Sequence, residues 1–449
     1  MSDLTKPTPE PSAPVADATR RDFVKKTAAA TVAGSAIAFP SVTFGQEADP
    51  KKLKIGLIGC GGRGTGAVAQ ALMADDNTEL WALGDLYEDK AVLQLRQLAR
   101  GNRAAAAKAA PDLDKRIFGG LDAYQKVMDS GVDVVLLTTP PGFRPQHFRA
   151  AVERDLHTFV EKPCATDVTG IKHFLETGEM AKAKDLSVLC GFCYRYSDSA
   201  RALFERLHGG DIGDIVSIHS TYFAGPVKAM PDPSSRPAGM SDVEWQMKNW
   251  YNFTWLSGDG LVEQGCHNID RVAWAFNDAD PISAFGSGGR QRPNFEGNIY
   301  DHFSVTYEYP NDVNAHVQWR QYADSYNFTG DTIVGTKGIA KYGTNKASIS
   351  GENKWNYRAP RTPTNMYQIE HDEFFKAIRT GKRKDDEKWV AHSTMMALFG
   401  RDVCYSGQRV KWADYAASDQ KLVPDNLKWD DALPIRPMRI PGVAETQGV

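Results

Sequence analysis

The sequence predicts an α/β chain followed by an α+β one: a Rossmann-type doubly wound parallel sheet, then a domain with a large, mostly antiparallel open sheet packed by helices. Three observations carry this. A length of 449 residues exceeds one ordinary core. Short apolar runs alternate with helical stretches from residue 53 onward, the pattern of a parallel sheet. From Ile282 onward the strand-like runs alternate apolar with polar residues, the pattern of a sheet with one covered face. Hydrophobic residues are 42% and charged residues 24%, enough for a sizeable core. The net charge of -3 leaves no electrostatic footprint for nucleic acid or an anionic membrane, so neither is an expected partner.

The first fifty residues read as a signal and linker rather than as fold. Arg20 and Arg21, followed by Asp22-Phe23-Val24-Lys25-Lys26, precede a small-residue apolar run over 27–39. This is the twin-arginine export pattern, with Ala36-Ile37-Ala38 as a small-x-small cleavage site, and it predicts a periplasmic protein. The run is too short for a stable membrane span. Twin-arginine export moves folded proteins, which suits an enzyme that acquires a cytoplasmic cofactor before leaving and keeps it.

Leu53-Lys54-Ile55-Gly56-Leu57-Ile58 reads as the first strand, and Gly59-Cys60-Gly61-Gly62-Arg63-Gly64 runs from it into a helix over 65–73. In that context Gly59 allows a tight turn, Gly61 and Gly62 admit a pyrophosphate beside Arg63, and Gly64 lets the helix pack on the strand. The second run, 79–84, ends at Asp85, near the roughly 20-residue offset of the acid that holds an adenosine ribose. Asp85 suits a helix N-cap as well. A carboxylate there repels a 2′-phosphate, and no Arg or Lys follows until Lys90, so NAD is expected rather than NADP. The third strand, 132–137, closes on Thr138-Thr139-Pro140-Pro141; a helix over 145–154 leads to the strand 157–160, which ends at Glu161-Lys162-Pro163. Ligands of such sheets gather beyond these carboxyl ends.

The ordered set of the 59–64 loop, Thr139-Pro140-Pro141, Glu161-Lys162-Pro163, Leu189-Cys190-Gly191-Phe192 with Tyr194-Arg195-Tyr196, Gly213-Asp214-Ile215-Val216, residues 258–270 and Gly335-Thr336-Lys337-Gly338 resembles the glucose–fructose oxidoreductase, inositol dehydrogenase and rhizopine-catabolism family, Gfo/Idh/MocA. The resemblance implies NAD-dependent oxidation or reduction of sugars, polyols and related ring compounds, and homo-oligomer contacts through the open sheet face. It implies that Thr139, Pro140, Glu161 and Lys162 border the cofactor and that Lys162 reaches the substrate hydroxyl. The family's second catalytic motif, Asp-x-x-x-His, appears as Glu263-Gln264-Gly265-Cys266-His267. On one helix, Glu263 and His267 would share a face, and the carboxylate would orient the imidazole and raise its basicity for proton transfer. The chain departs from the family at Glu263, at Arg144 in place of a frequent histidine, and at Tyr194. Arg144, Tyr194, Arg195 and Trp255 are the candidate substrate contacts, Arg144 for an anionic or hydroxyl-rich ligand.

Six cysteines, mostly within apolar or glycine-rich segments, argue against a disulfide framework, and Cys190-x-x-Cys193 lacks a second pair at zinc spacing; no metal is expected. Residues 216–258 carry Tyr222, Phe223, Trp245, Trp250, Tyr251, Phe253 and Trp255 with little periodicity and read as a long loop, either a sugar-stacking lid or a satellite aromatic cluster. Helices are expected over 366–380 and 392–405. The partition is then 1–50 signal and linker, 51–190 NAD-binding domain, 191–422 substrate and oligomerisation domain, and 423–449 surface tail. Three functions fit: an NAD-dependent sugar or polyol oxidoreductase, a redox-neutral NAD-dependent glycoside hydrolase that oxidises transiently, and a non-catalytic sugar-binding relative. Retention of Lys162 with Glu263 and His267 speaks against the last.

Overall fold

Alternating apolar runs and helices do produce a parallel sheet. In the computed structural model, which describes residues 51–362 and 364–443, six strands lie in the order β3-β2-β1-β4-β5-β6. They are β1 Leu53–Ile58, β2 Thr78–Gly84, β3 Ile117–Phe118, β4 Val134–Leu137, β5 His157–Val160 and β6 Val188–Cys190, every neighbour pair parallel. β4 is buried at every position because helices cover both faces of the sheet, which is why its sequence shows no alternation. The strand order reverses between β1 and β4, and a crevice opens beyond the carboxyl ends there. The twin-arginine segment lies outside the described residues.

The second sheet has nine strands in the order β14-β13-β12-β11-β7-β10-β9-β8-β15. These are β7 Ile215–Ala224, β8 Ser283–Gly289, β9 His302–Tyr309, β10 Val313–Gln321, β11 Phe328–Gly335, β12 Gly338–Gly343, β13 Lys346–Gly351, β14 Trp355–Asn356 and β15 Val410–Lys411. Only β7 and β10 pair in parallel; the remaining neighbours are antiparallel. In β9, Phe303, Val305, Tyr307 and Tyr309 are buried while Ser304 is exposed, so one face packs inward and the other stays open.

Five helices matter for the site: α1 Gly62–Ala74, α2 Arg144–Glu153, α3 Cys266–Ala275, α4 Met366–Thr380 and α5 Glu387–Ser406. The chain returns to the first layer through α4, whose Phe374 and Phe375 join the core under β1 and β2. Among the described residues no helix is long and apolar enough to cross a membrane.

Two expectations need correction. The stretch 216–258 is not one loop: it begins in β7 and contains the short helices Asp242–Lys248 and Thr254–Ser257. Its Trp245, Phe253 and Trp255 are buried in a satellite cluster with Met230, Val243, Met247 and Leu256. The tail does not merely cross the surface. Leu422, Leu427, Trp429, Leu433 and Ile435 pack on that cluster, and the tail's carbonyls take hydrogen bonds from Ser241, Gln246 (2.7 Å), Asn298 (3.0 Å) and Tyr300 (2.8 Å).

Candidate active site

A cavity of about 480 Å³ opens at the carboxyl ends of the parallel strands. Each strand hands it the residues that follow: Gly59 after β1, Asp85 after β2, Thr138 and Thr139 after β4, Glu161 and Lys162 after β5, and Gly191 after β6. Tyr222 of β7 and the segment around Glu263 and His267 close the other side.

The glycines fix the dinucleotide end. Gly59 has φ +98°, and a Cβ there would lie 2.6 Å from the Thr139 nitrogen; a Cβ on Gly64 would lie 2.2 Å from the Gly59 carbonyl. Side chains at Gly61 and Gly62 would instead meet nothing within 4 Å, so backbone at the start of α1 faces open space and its free N–H groups fit a pyrophosphate. The Asp85 carboxylate borders the same space, accepting hydrogen bonds from the Cys60 (2.7 Å) and Tyr87 (3.2 Å) amides. The next helix starts at Glu88 with Tyr87 in the cap position, so Asp85 is not its N-cap. Lys90 also lines the cavity, a neighbour that its distance along the sequence hides.

Arg63 donates to Glu161, to Gln70 at 3.0 Å and to Glu370 at 3.1 Å. Its guanidinium is thus committed to two carboxylates and an amide oxygen, and anion contact at this end falls to the backbone. Thr139 is hydrogen-bonded to His147 Nδ1 at 3.2 Å, and Pro140 follows it on the wall.

At the far end Lys162 Nζ donates to the Glu263 carbonyl and lies 3.3 Å from Glu263 Oε1. Burial works against its charge, but Glu263 foremost, with Cys266 and Glu161, overrides burial and holds the ammonium well above the usual lysine range. His267 lines the same wall, with the ring of Tyr194 at 5.1 Å and that of Phe192 at 6.0 Å, both edge-on. Its Nδ1 has no hydrogen-bond partner.

The expected Glu263–His267 couple is not formed. Glu263 ends the one-turn helix Gly260–Glu263, Gln264 and Gly265 break it, and His267 belongs to α3. The carboxylate pairs with Lys162 instead, and His267 is not made more basic. Burial, then the Lys162, Arg271 and Arg63 charges, push its pKa well below the ordinary value.

Arg144, the first residue of α2, is 5% exposed and lines the cavity. One guanidinium N–H donates to the Pro163 carbonyl at 2.6 Å, while Nε is buried without a partner. Two other expected substrate contacts are elsewhere. Arg195 is clamped by Asp270 and Asp278 and lies over the Trp389 ring at 4.0 Å, and Trp255 is buried with its indole N–H on Gln246 at 2.7 Å. Neither is among the cavity-lining residues; both side chains are consumed by packing. Tyr194 stands behind His267 rather than on the wall.

His147 lines the cavity without having been singled out, and Tyr222 and Trp250, of the aromatics in 216–258, line it too. Burial, then Arg144, lowers the His147 pKa to about 3, so it is a neutral partner for Thr139. Its signal was its place three residues after Arg144, on the same face of α2. All six cysteines are buried and free, and burial raises the Cys190 and Cys193 thiols. Among the described residues no group of three or more His, Cys, Asp or Glu side chains is arranged for a metal.

Known proteins match in the same order as the layers. A model described as an oxidoreductase family with an NAD-binding Rossmann fold matches residues 53–192, and a GFO/IDH/MocA C-terminal domain matches residues 200–341. An inositol 2-dehydrogenase 3 of Saccharopolyspora erythraea is 26% identical over 47% of this chain and 55% of its own length. A glycosyl hydrolase family 109 protein of Solibacter usitatus is 27% identical over 42% of this chain and 44% of its own. The chain thus spans about half the length of these curated relatives. The crystal structure of an aldose-aldose oxidoreductase from Caulobacter crescentus, complexed with glycerol, shares the fold with a TM-score of 0.60 at 17% identity, covering 80% of this chain and all (100%) of that one. With both family models in sequence, over an open glycine loop and a Glu161-Lys162 strand end in one cavity, the chain belongs to the Gfo/Idh/MocA family of oxidoreductases.

Proposed function

We propose that the protein is an NAD-dependent dehydrogenase acting on a hydroxyl-bearing carbon of a sugar, polyol or related ring compound. The observation that carries this reading is that Lys162 and His267 line the cavity that starts at the Gly59 loop. When bound, the nicotinamide supplies the hydride acceptor or donor. The backbone at Gly61 and Gly62 would hold the pyrophosphate and the Asp85 carboxylate the adenosine ribose. Lys162, kept charged by Glu263, donates a hydrogen bond to the substrate oxygen and stabilises negative charge as it develops there. Neutral His267, on the same cavity wall, takes the hydroxyl proton. Thr139 and Pro140, on the cavity wall, would border the cofactor.

Asp85 favours NAD over NADP through repulsion of a 2′-phosphate. The twin-arginine segment sends the folded, cofactor-loaded protein to the periplasm, where scarce free NAD makes tight retention an advantage. The open face of the nine-stranded sheet takes a second copy of the chain. It presents Ser304, Thr306, Gln318 and Thr332 beside the exposed Phe285, Phe328 and Ile339, apolar surface that a second copy would cover. A second reading, redox-neutral glycoside hydrolysis through transient oxidation, is favoured by the name of the Solibacter usitatus relative and by cofactor retention.

Anaerobic incubation of the purified protein, its bound cofactor quantified, with free sugars, polyols and aryl glycosides separates the readings. Net NADH formation is expected. Aglycone release at constant cofactor redox state would favour the hydrolase, and neither reaction across the panel would defeat both.

A further inference from the structure

Among the described residues three arginines are buried, in the second layer and at the cavity, and the fold treats one of them differently. Arg271 is bidentate to Asp331, with one contact at 3.0 Å, and Arg401 is bidentate to Asp402 at 2.8 and 2.9 Å. In both, the carboxylate outweighs burial and raises the pKa. Arg144 has no such partner. Its guanidinium donates to one neutral carbonyl, that of Pro163; its Nε has no partner; and burial lowers its pKa, the reverse of the other two.

The nearest acidic groups are spoken for. Glu161 is paired with Arg63, and Glu263 with Lys162. A buried guanidinium left with a single carbonyl is unfavourable, because its desolvation is not repaid by a counter-charge. Such an imbalance persists where a ligand supplies the missing charge, and this guanidinium lies on the cavity wall. The carbonyl that holds it belongs to the residue after Lys162, and Arg144 and Lys162 line one cavity, within which a single ligand can meet both.

We propose that the substrate carries a carboxylate and that Arg144 is its anchor. The substrate class is then a sugar acid, a uronate or aldonate, whose planar carboxylate matches the guanidinium fork. This rests on the dehydrogenase reading above and narrows it. The reaction is unchanged in its balance: a carbinol C–H and O–H become a carbonyl, the hydride reduces NAD, and the proton leaves through the site. The carboxylate is a handle and takes no part in bond breaking.

The test compares matched pairs that differ in the carboxylate: D-glucuronate with D-glucose, D-galacturonate with D-galactose, and D-gluconate with D-glucitol. Binding to the NADH-loaded protein is measured by calorimetry, and turnover of the NAD-loaded protein by NADH absorbance. In at least one pair the acid is expected to bind and turn over about 10–100-fold better than its neutral partner, the span of a charge-assisted bidentate contact. Arg144→Gln should collapse that ratio at least tenfold, and Arg144→Lys, which keeps charge without the fork, should leave it in between. Should either variant fail to bind NADH, the wild-type ratio decides alone. An acid bound in an Arg144-dependent way without NADH formation would keep the anchor and sink the dehydrogenase reading. Neutral sugars oxidised as well as acids, no binding of any acid, or a preference that survives Arg144→Gln would each overturn the anchor; the first of these leaves hydride transfer standing.

Discussion

Lys162 and Glu263 sit 3.3 Å apart with side chains 13% and 18% exposed, so each is the other's main counter-charge. Lys162→Met is expected to lower turnover at least 100-fold and to cost about 1–3 kcal/mol of stability by leaving a half-buried carboxylate unpaired. Lys162→Met with Glu263→Gln should recover most of the stability and none of the activity. Chemical denaturation beside NADH kinetics checks both, and a fully active Lys162→Met removes the residue from the mechanism. His267 leads to a different pH expectation from the one its motif suggests. Burial and three nearby cations keep it neutral, so no limb of the kcat/KM profile between about pH 6 and 8 belongs to it. NMR titration of the His267 ring showing protonation above pH 6 would contradict this. Its motif was legible in the sequence, but its electrostatics were not. The helix linking it to Glu263 is broken because Gly260 and Gly265 lie against Trp319 of β10, with built Cβ positions 2.1 and 3.0 Å from the indole. That contact joins positions more than fifty residues apart, beyond the reach of any periodicity.

Helix α4 carries an unusual burden for an element that reads so plainly from its apolar stripe. His371 is fully buried, stacks on Phe159 of β5 at 4.4 Å, and has neither ring nitrogen hydrogen-bonded. Burial, then Arg63, holds its pKa well below the ordinary 6.5. A group whose folded pKa is depressed contributes stability that is present above the unfolded value and lost as pH falls through it. His371→Phe keeps the stacking, deletes both orphaned nitrogens, and should stabilise by about 1 kcal/mol at neutral pH. Its advantage over the wild type should widen below pH 6.5, by up to about 1.4 kcal/mol per pH unit. Urea titrations at pH 7.5 and 5.5 measure it, and an advantage that shrinks on acidification would show the ring already charged in the fold. Sequence reading placed α4 at its observed ends but gave no reason to assign it to the first layer. Elements whose burial is local in sequence were visible: β4 is an unbroken apolar run with both faces covered, and β1 and β5 are short, mostly buried runs that end in the Gly59 loop and in Glu161-Lys162-Pro163. Residues 225–257 were not, since their apolar side chains follow neither period and meet a partner nearly two hundred residues away.

That partner is the tail, and it sets the largest expectation about the molecule as a whole. From Gln420 onward the chain runs back over both layers: Thr169 donates to the Gln420 carbonyl at 3.1 Å, and Asp167 accepts from the Leu422 (2.7 Å) and Val423 (3.1 Å) amides. Farther on, Trp429 meets the Tyr87 ring edge-on at 6.1 Å, two residues past Asp85. The cluster that the tail covers supplies Met247, and the adjoining segment Trp250, to the cavity wall. The tail therefore supports the outer wall of the cofactor cavity, a role that its proline-rich composition conceals. Deleting residues 420–449 should uncover Val243, Phe253 and Leu256 and lower Tm by at least about 5 °C. It should also weaken NAD binding at least about fivefold, a loss near 1 kcal/mol, since Met247 and Trp250 lose their backing. Trp429→Ala alone separates the two effects: a small change in Tm with a measurable rise in the NAD Kd is expected, because it unpacks Tyr87 while leaving the Asp167, Gln246 and Asn298 contacts in place. Calorimetric titration of NAD into the three proteins reads this directly. A deletion that melts as the wild type does and binds NAD equally well would reduce the tail to a surface appendage.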